Sequence, residues 1–299
     1  MTNQSLPTAQ LAIYGFLSIP ALYVLIVHGR RGLLGWIFLF AFCTLRVVGP
    51  ALEITNPTSS GAAIISSIGL SPLILATNGV LHEARILLNV TLRPALEWTF
   101  VILFHILVTT GLALIAANGA ALIPSSSSSS ASTTISSIVS SKLTTIKVGI
   151  LILLSTWILI VLGTLLTLHS SRRRSQQKQK QKYHRSSSHT PEVEKKSHKL
   201  STTLLHTILL TLPFSGIRMI YSCFYIVKYA DISLNPVTGR VEIRVFLSVL
   251  PEMIVVAALL IAGVMTRAVR KADGEGSGTS LRAMEIGNVG ESRRDRTTL

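Results

Sequence analysis

Seven apolar stretches, each long enough to cross a lipid bilayer, constrain this chain more than any other feature. A membrane-spanning helix needs roughly 20 mostly apolar residues, and continuous apolar runs without strict alternation favour helices over barrel strands. The predicted spans are Ala9–Val27, Leu33–Glu53, Gly61–Leu81, Glu97–Ala117, Lys147–His169, Thr203–Lys228 and Ile243–Thr266. The sequence therefore predicts an all-α fold, a polytopic membrane protein built as a seven-transmembrane-helix bundle.

The spans and their connections form one predicted transmembrane domain, residues 1–270. It includes a Ser-rich outer loop, residues 118–146, and a basic inner loop, residues 170–202, which is predicted to be disordered. Residues 271–299 are predicted to form a disordered cytoplasmic tail. The N-terminus has no basic segment and no clear cleavage site, so we interpret the first apolar stretch as a retained span and not as a signal peptide.

The distribution of basic residues predicts the orientation. Most of the 28 Lys and Arg residues fall on one side of the predicted membrane, mainly in the basic inner loop and the C-terminal tail. Cytoplasmic loops carry such an excess, so we expect the N-terminus outside and the C-terminus in the cytoplasm. Asn3, in N-Q-S, would then be open to glycosylation, whereas Asn89, in N-V-T, would face the cytoplasm. The positive charge lies beside spans, so no nucleic-acid partner is expected.

Three charged residues lie well inside predicted spans, far from the span ends: Arg46, Arg218 and Glu252. A charge at the centre of a membrane helix costs about 2.5–3.5 kcal/mol on insertion scales, so it usually has a partner or a task. At about 1.5 Å per residue, all three lie roughly 20 Å from the inner ends of their spans. The sequence thus predicts a cluster at one depth. It is either a buried ion-pair network that fixes helix packing or a site for a ligand or ion.

Neighbouring residues extend this candidate site. Glu53 lies two helical turns from Arg46 on roughly the same face and could balance the second arginine. Tyr221 and Tyr225 follow Arg218 at spacings of three and seven, so they share one stripe of the helix. A proline directly precedes Glu252 and predicts a kink beside the charge.

The basic inner loop suggests cytoplasmic partners. Its Lys- and Arg-rich composition is typical of segments that bind anionic lipid head groups, and a protein partner is the other candidate. Ser175, in R-R-R-S, is a candidate phosphorylation site at which a phosphate would reduce the local positive charge. A solvated segment that only anchors the topology is the alternative interpretation.

Catalytic motifs are absent from the sequence. The spans contain no aspartate, and the chain has neither a P-loop nor a G-x-S-x-G element. The two cysteines lie inside spans, without metal-ligand spacing. We therefore expect no catalytic residues, no metal and no cofactor, and a protein that is not an enzyme.

Several local motifs resemble a known family. They are G-W-I-F-L-F with L-R-V-V-G (residues 35–49), N-P (56–57), S-S-I-G-L-S-P-L-I-L-A (66–76), L-P-F-S-G-I-R-M-I-Y-S (212–222) and V-L-P-E (249–252). Together they are similar to a fungal family of seven-span integral membrane proteins known only as a domain of unknown function. The resemblance implies a seven-helix membrane fold and a fungal source, but no activity.

Three functions remain open from the sequence. The first is a receptor-like protein whose outward-facing charged cavity binds a small anionic or amphiphilic ligand. The second is a transporter or channel that uses the same intramembrane charges. The third is a membrane scaffold that binds no ligand and contacts membrane lipids. The plasma membrane is the default location, with an internal membrane as the alternative.

Overall fold

The structure, a computed structural model, describes residues 4–56, 61, 65, 68–88, 94–119, 132–184, 191–228 and 239–266. These residues form helices and contain no strand. The helices are α1 (Ser5–Thr55), α2 (Leu70–Leu87), α3 (Pro94–Gly119), α4 (Ser132–His184), α5 (Pro191–Val227) and α6 (Val241–Thr266). The last of these contains a π-helical turn at Val245–Val249.

The first helical segment, Ser5–Thr55, folds as a hairpin and not as one straight helix. Two residues 28 positions apart would be roughly 42 Å apart in one straight helix. The ring centroids of Tyr14 and Phe42 are instead 5.8 Å apart. The chain therefore reverses between two antiparallel arms, arm 1 (Ser5–His28) and arm 2 (Gly32–Thr55), and each arm is apolar enough to cross a membrane.

Helix α2 lies at the centre of the bundle. It contacts α1, α3, α4 and α5, and most of its residues are buried. Its polar residues Thr77, Asn78 and Glu83 are each at most 4% exposed. Because protein surrounds α2, its polar side chains need not face lipid, and a mixed composition is tolerated there.

A seam of glycines brings arm 2 and α2 into close antiparallel contact. A Cβ placed on Gly79 would lie 2.4 Å from the backbone of Gly35. Two further contacts follow in antiparallel register, Gly69 against Arg46 and Gly49 against the Ile65 side chain. Arm 2 is thus contacted by Gly79 within α2 and by Gly69 and Ile65, two described residues that precede α2. Small residues at such a crossing let the two backbones touch.

The remaining helices pack around this pair. Helices α3 and α4 cross closely at Gly111 and Gly149, and α4 then packs on α5. There the Trp157 indole lies against Gly216 and donates a hydrogen bond to the Ser215 hydroxyl, at 3.1 Å. The main core cluster of apolar residues joins α1, α2, α3, α4, α5 and α6.

Six described helices, or arms of a helix, are long and apolar enough to cross a membrane. They correspond to six of the seven predicted spans. The third, Gly61–Leu81, falls partly outside the described residues, and its part from Leu70 onward belongs to the central helix α2. The seventh crossing and the orientation therefore stay predictions, and Asn3 and the tail 271–299 lie outside the described residues.

The structure differs from the sequence prediction around the fifth span. That span was predicted at Lys147–His169, between a flexible Ser-rich loop and a disordered basic loop. Instead α4 is helical from Ser132 to His184, and α5 begins at Pro191. Gln, Lys and Arg are good helix formers, and proline suits the first turn of a helix. The polar composition of the segments on either side of the fifth predicted span therefore did not prevent helix formation.

Candidate functional site

Arg46, Arg218 and Glu252 meet inside the bundle and form what we call the charge triad. Arg46 Nη2 donates a hydrogen bond to Glu252 Oε1 at 2.5 Å, and Arg218 Nε donates to the same oxygen at 2.8 Å. The three residues are 6%, 4% and 1% exposed. Two guanidinium groups therefore share one carboxylate oxygen, and the ionised triad carries one net positive charge in a site shielded from water.

Three different elements position the triad: arm 2, α5 and α6. The ends Thr55, Val227 and Val241 belong to these elements, and an ion pair between Glu53 and Arg244, at 3.7 Å, joins two of them. Counted from these ends, the triad residues lie about 9–11 residues inside their helices, or roughly 14–17 Å. The triad is thus nearer to this end of the bundle than to the other.

Aromatic rings and a glycine surround the two guanidinium groups. The Arg46 guanidinium carbon lies 5.5 Å from the Phe42 ring centroid, and that of Arg218 lies 5.6 Å from the Tyr221 centroid. Such cation–π contacts are favourable, most of all away from water. A Cβ on Gly69 would lie 2.9 Å from the Arg46 guanidinium carbon. A larger residue at position 69, just before α2, would therefore displace the Arg46 guanidinium from its place in the triad.

The backbone of α6 is irregular just before the carboxylate. The turn at Val245–Val249 is π-helical, and the Leu250 N–H donates to the Val245 carbonyl. The next residue, Pro251, has no N–H to donate, so it cannot continue the regular α-helical pattern. Single π-turns of this kind are frequent at functional sites and allow helices to bend.

The other predicted site residues lie at different distances from the triad. Tyr221 is buried against Arg218. Glu53 pairs with Arg244 and not with the second arginine of the triad. Tyr225 packs on a separate apolar cluster formed by Ile146, Ile150 and Ile226. Ser175 belongs to α4, but its side chain lies outside the described residues, as does Asn3.

Two residues that border the triad, Tyr14 and Phe42, were not predicted from the sequence. Tyr14 is 1% exposed and lies within electrostatic range of all three charges. It reaches them only because α1 folds back on itself. The spacing of residues along the sequence does not predict that contact. Gly69, inside the S-S-I-G-L-S-P motif, did carry a signal, because small residues let membrane helices approach closely.

A second buried polar cluster lies toward the opposite end of the bundle. The Trp36 indole donates a hydrogen bond to Glu83 Oε2 at 3.0 Å and packs on the His28 ring, with centroids 4.7 Å apart. His28 Nε2 in turn lies 3.1 Å from the Thr266 hydroxyl. These contacts join the hairpin turn of α1 to α2 and to the end of α6, and both ring nitrogens of His28 have partners.

The apolar helices and their buried polar contacts define a multi-pass helical membrane protein. A comparison with protein families is more specific, because the chain matches a domain of unknown function, DUF7702, over residues 2–185 and 183–269. These segments cover most of the chain, so the protein belongs to the DUF7702 family. Searches of curated proteins and of solved structures give no match. The family describes no activity, and the function is therefore argued from the triad.

Proposed function

We propose that this chain is a receptor-like membrane protein that binds a small anionic or amphiphilic ligand at the charge triad. The observation that carries the proposal is the sharing of one Glu252 oxygen by two arginines. One arginine would suffice for a structural ion pair, and the second adds a buried positive charge for which the described residues provide no second carboxylate. Burying such a charge is costly. A bound anion would remove that cost, and arginine is well suited to carboxylate and phosphate groups.

The proposal describes binding and not catalysis, in keeping with the lack of catalytic motifs in the sequence. We place the ligand's access route at the outer end of the bundle, because the triad lies closer to the ends marked by Thr55, Val227 and Val241. Arg240 directly precedes α6 at this end, where it would attract an anion.

Anion binding should stabilise the purified protein in a saturable way. We expect acetate or dodecanoate, titrated at constant ionic strength in a sulfonate buffer, to raise the melting temperature. A ligand at a hundred times its Kd stabilises a protein by about 2.7 kcal/mol. The shift should be lost in Arg46→Gln and retained in Arg244→Gln, a control that removes the same charge from outside the triad. Equal shifts in both variants, or no saturable shift in the wild type, would rule out the proposal.

A transporter is the second candidate, and the π-helical turn beside Pro251 and Glu252 favours it. A helix that can bend next to a buried carboxylate could expose the triad to either side of the membrane. Flux separates the two functions: a transporter would carry the stabilising anion into proteoliposomes and lose this flux in Arg46→Gln, whereas a receptor would bind the anion without flux. A scaffold without a ligand would show neither result.

We also propose that α2 and the segment before it form a seventh crossing, with the N-terminus outside. The antiparallel seam along arm 2 and the burial of α2 support this topology. A glycan should then be attached at Asn3 and absent from Asn89. In eukaryotic cells, glycosidase treatment should shift the wild-type band and the Asn89→Gln band but not the Asn3→Gln band. A band shift that is lost in Asn89→Gln would show that the orientation is the reverse of the proposed one.

The same topology places the basic segment 172–199 in the cytoplasm, where we propose that it contacts anionic lipid or a protein partner. A fungal source and a plasma-membrane location remain predictions from the sequence.

A further inference from the structure

Two buried polar groups beside the charge triad have no hydrogen-bond partner among the described residues: the Tyr14 hydroxyl and Arg46 Nε. Both atoms are shielded from solvent, and their residues are 1% and 6% exposed. Buried polar atoms are nearly always paired in folded proteins. Four other buried polar atoms, on Arg85, Glu97 and His105, also lack a hydrogen-bond partner among the described residues, but the pair on Tyr14 and Arg46 is the one that borders the triad.

The two residues that carry these groups contact the same aromatic ring. The Tyr14 ring packs edge-on against Phe42, and the Arg46 guanidinium carbon lies 5.5 Å from the centroid of that ring. Tyr14 comes from arm 1 and Arg46 from arm 2, so the hairpin of α1 brings both to the triad. Tyr14 also lies within electrostatic range of Arg218 and Glu252.

The chemistry of these groups restricts the ligand. Arginine can only donate hydrogen bonds, and a phenol beside two guanidinium groups acts best as a donor to an anion. Two donors match a ligand group with two acceptor oxygens. The one net positive charge of the triad matches a single negative charge, whereas a dianion would leave a negative charge in the same dry environment.

We propose that Tyr14 Oη and Arg46 Nε donate hydrogen bonds to the two oxygens of a monocarboxylate ligand. This inference rests on the proposed function and adds to it a ligand class and a binding residue, Tyr14. The carboxylate could belong to a small soluble acid or to the head of a fatty acid from the bilayer. Parallel titrations with acetate and dodecanoate distinguish these sources, because a lipid source requires much tighter binding of the longer chain.

The test is Tyr14→Phe, which removes one hydroxyl and keeps the ring against Phe42. In the ligand-free protein the variant should melt at the wild-type temperature or above it, because it removes an unpaired buried polar atom. Its affinity for the carboxylate should fall about tenfold to hundredfold, as expected for a lost hydrogen bond to a charged group. Affinities are measured from the concentration dependence of the melting temperature. Tyr23→Phe, on the same arm and 44% exposed, is the matched control and should bind as the wild type does.

Each outcome bears on one of the two proposals. If the wild type shows no saturable carboxylate binding, the proposed function fails and this inference fails with it. If binding requires Arg46 but Tyr14→Phe keeps wild-type affinity, the function stands and the assignment of Tyr14 is wrong. A lower melting temperature in ligand-free Tyr14→Phe, with unchanged affinity, would also overturn the assignment, because the hydroxyl would then have a structural partner such as water.

Discussion

Replacing Glu252 by glutamine should cost about 3–5 kcal/mol of unfolding free energy, the loss expected when one partner of a buried ion network is removed. The side chain keeps its size, but both arginines lose the only carboxylate that they contact among the described residues. Two like charges would then be buried together. The effect can be measured by thermal denaturation and by reversible denaturant titration of the detergent-solubilised protein.

The arginine variants provide the control for this prediction. Arg46→Gln or Arg218→Gln leaves one arginine on Glu252, and the net charge of the triad falls from plus one to zero. Each should therefore cost less than the glutamate variant: about 1.5–3 kcal/mol for the one charged hydrogen bond lost in Arg46→Gln, and more in Arg218→Gln, because Arg218 Nη1 also donates to the Ser222 hydroxyl at 2.6 Å. A glutamate variant as stable as the wild type would show that the triad does not hold arm 2, α5 and α6 together.

Gly79→Ala should also destabilise the protein strongly. The added Cβ would lie 2.4 Å from the Cα and N atoms of Gly35, and backbone atoms cannot move aside as a flexible side chain can. Arm 2 and α2 would have to separate along their seam. We expect a loss at or beyond the upper end of the range of about 1–3 kcal/mol that overpacking usually costs, seen as reduced yield and a lower melting temperature.

Gly15→Ala adds the same methyl group to another helix of the membrane domain and serves as the matched control. A Cβ on Gly15 would meet nothing within 4 Å. Alanine is also favoured over glycine inside a helix by about 1 kcal/mol, so this variant should be neutral or more stable. If both alanine variants behave alike, the close approach at Gly79 is not what holds α2 against arm 2.

Local patterns in the sequence predicted the helices and the common depth of the three charges. Helical rise converts positions such as Arg46 and Glu252 into depths, because each apolar run has a clear end. Periodicity also placed Tyr221 on the face of Arg218. Each of these inferences needs only one helix or the distance of a residue from the end of its apolar run.

Contacts between helices could not be predicted in the same way. Spacing cannot show which helices are neighbours, so Glu53 was assigned to an arginine of the triad, whereas the structure pairs it with Arg244. Tyr225 shares a stripe with Arg218, but α5 turns it toward a second apolar cluster. The contact of Tyr14 with the triad could not be predicted for the same reason, because it depends on the reversal of α1.

The burial of α2 has a consequence for how the chain enters the membrane. Alone in lipid, α2 would expose Thr77, Asn78 and Glu83 to hydrocarbon, where each lacks the protein surroundings that it has in the folded bundle. Arm 2 is synthesised before α2, and α2 packs against it along the glycine seam. We therefore expect the insertion machinery to retain arm 2 until α2 emerges and to release the two helices into the bilayer as one paired unit.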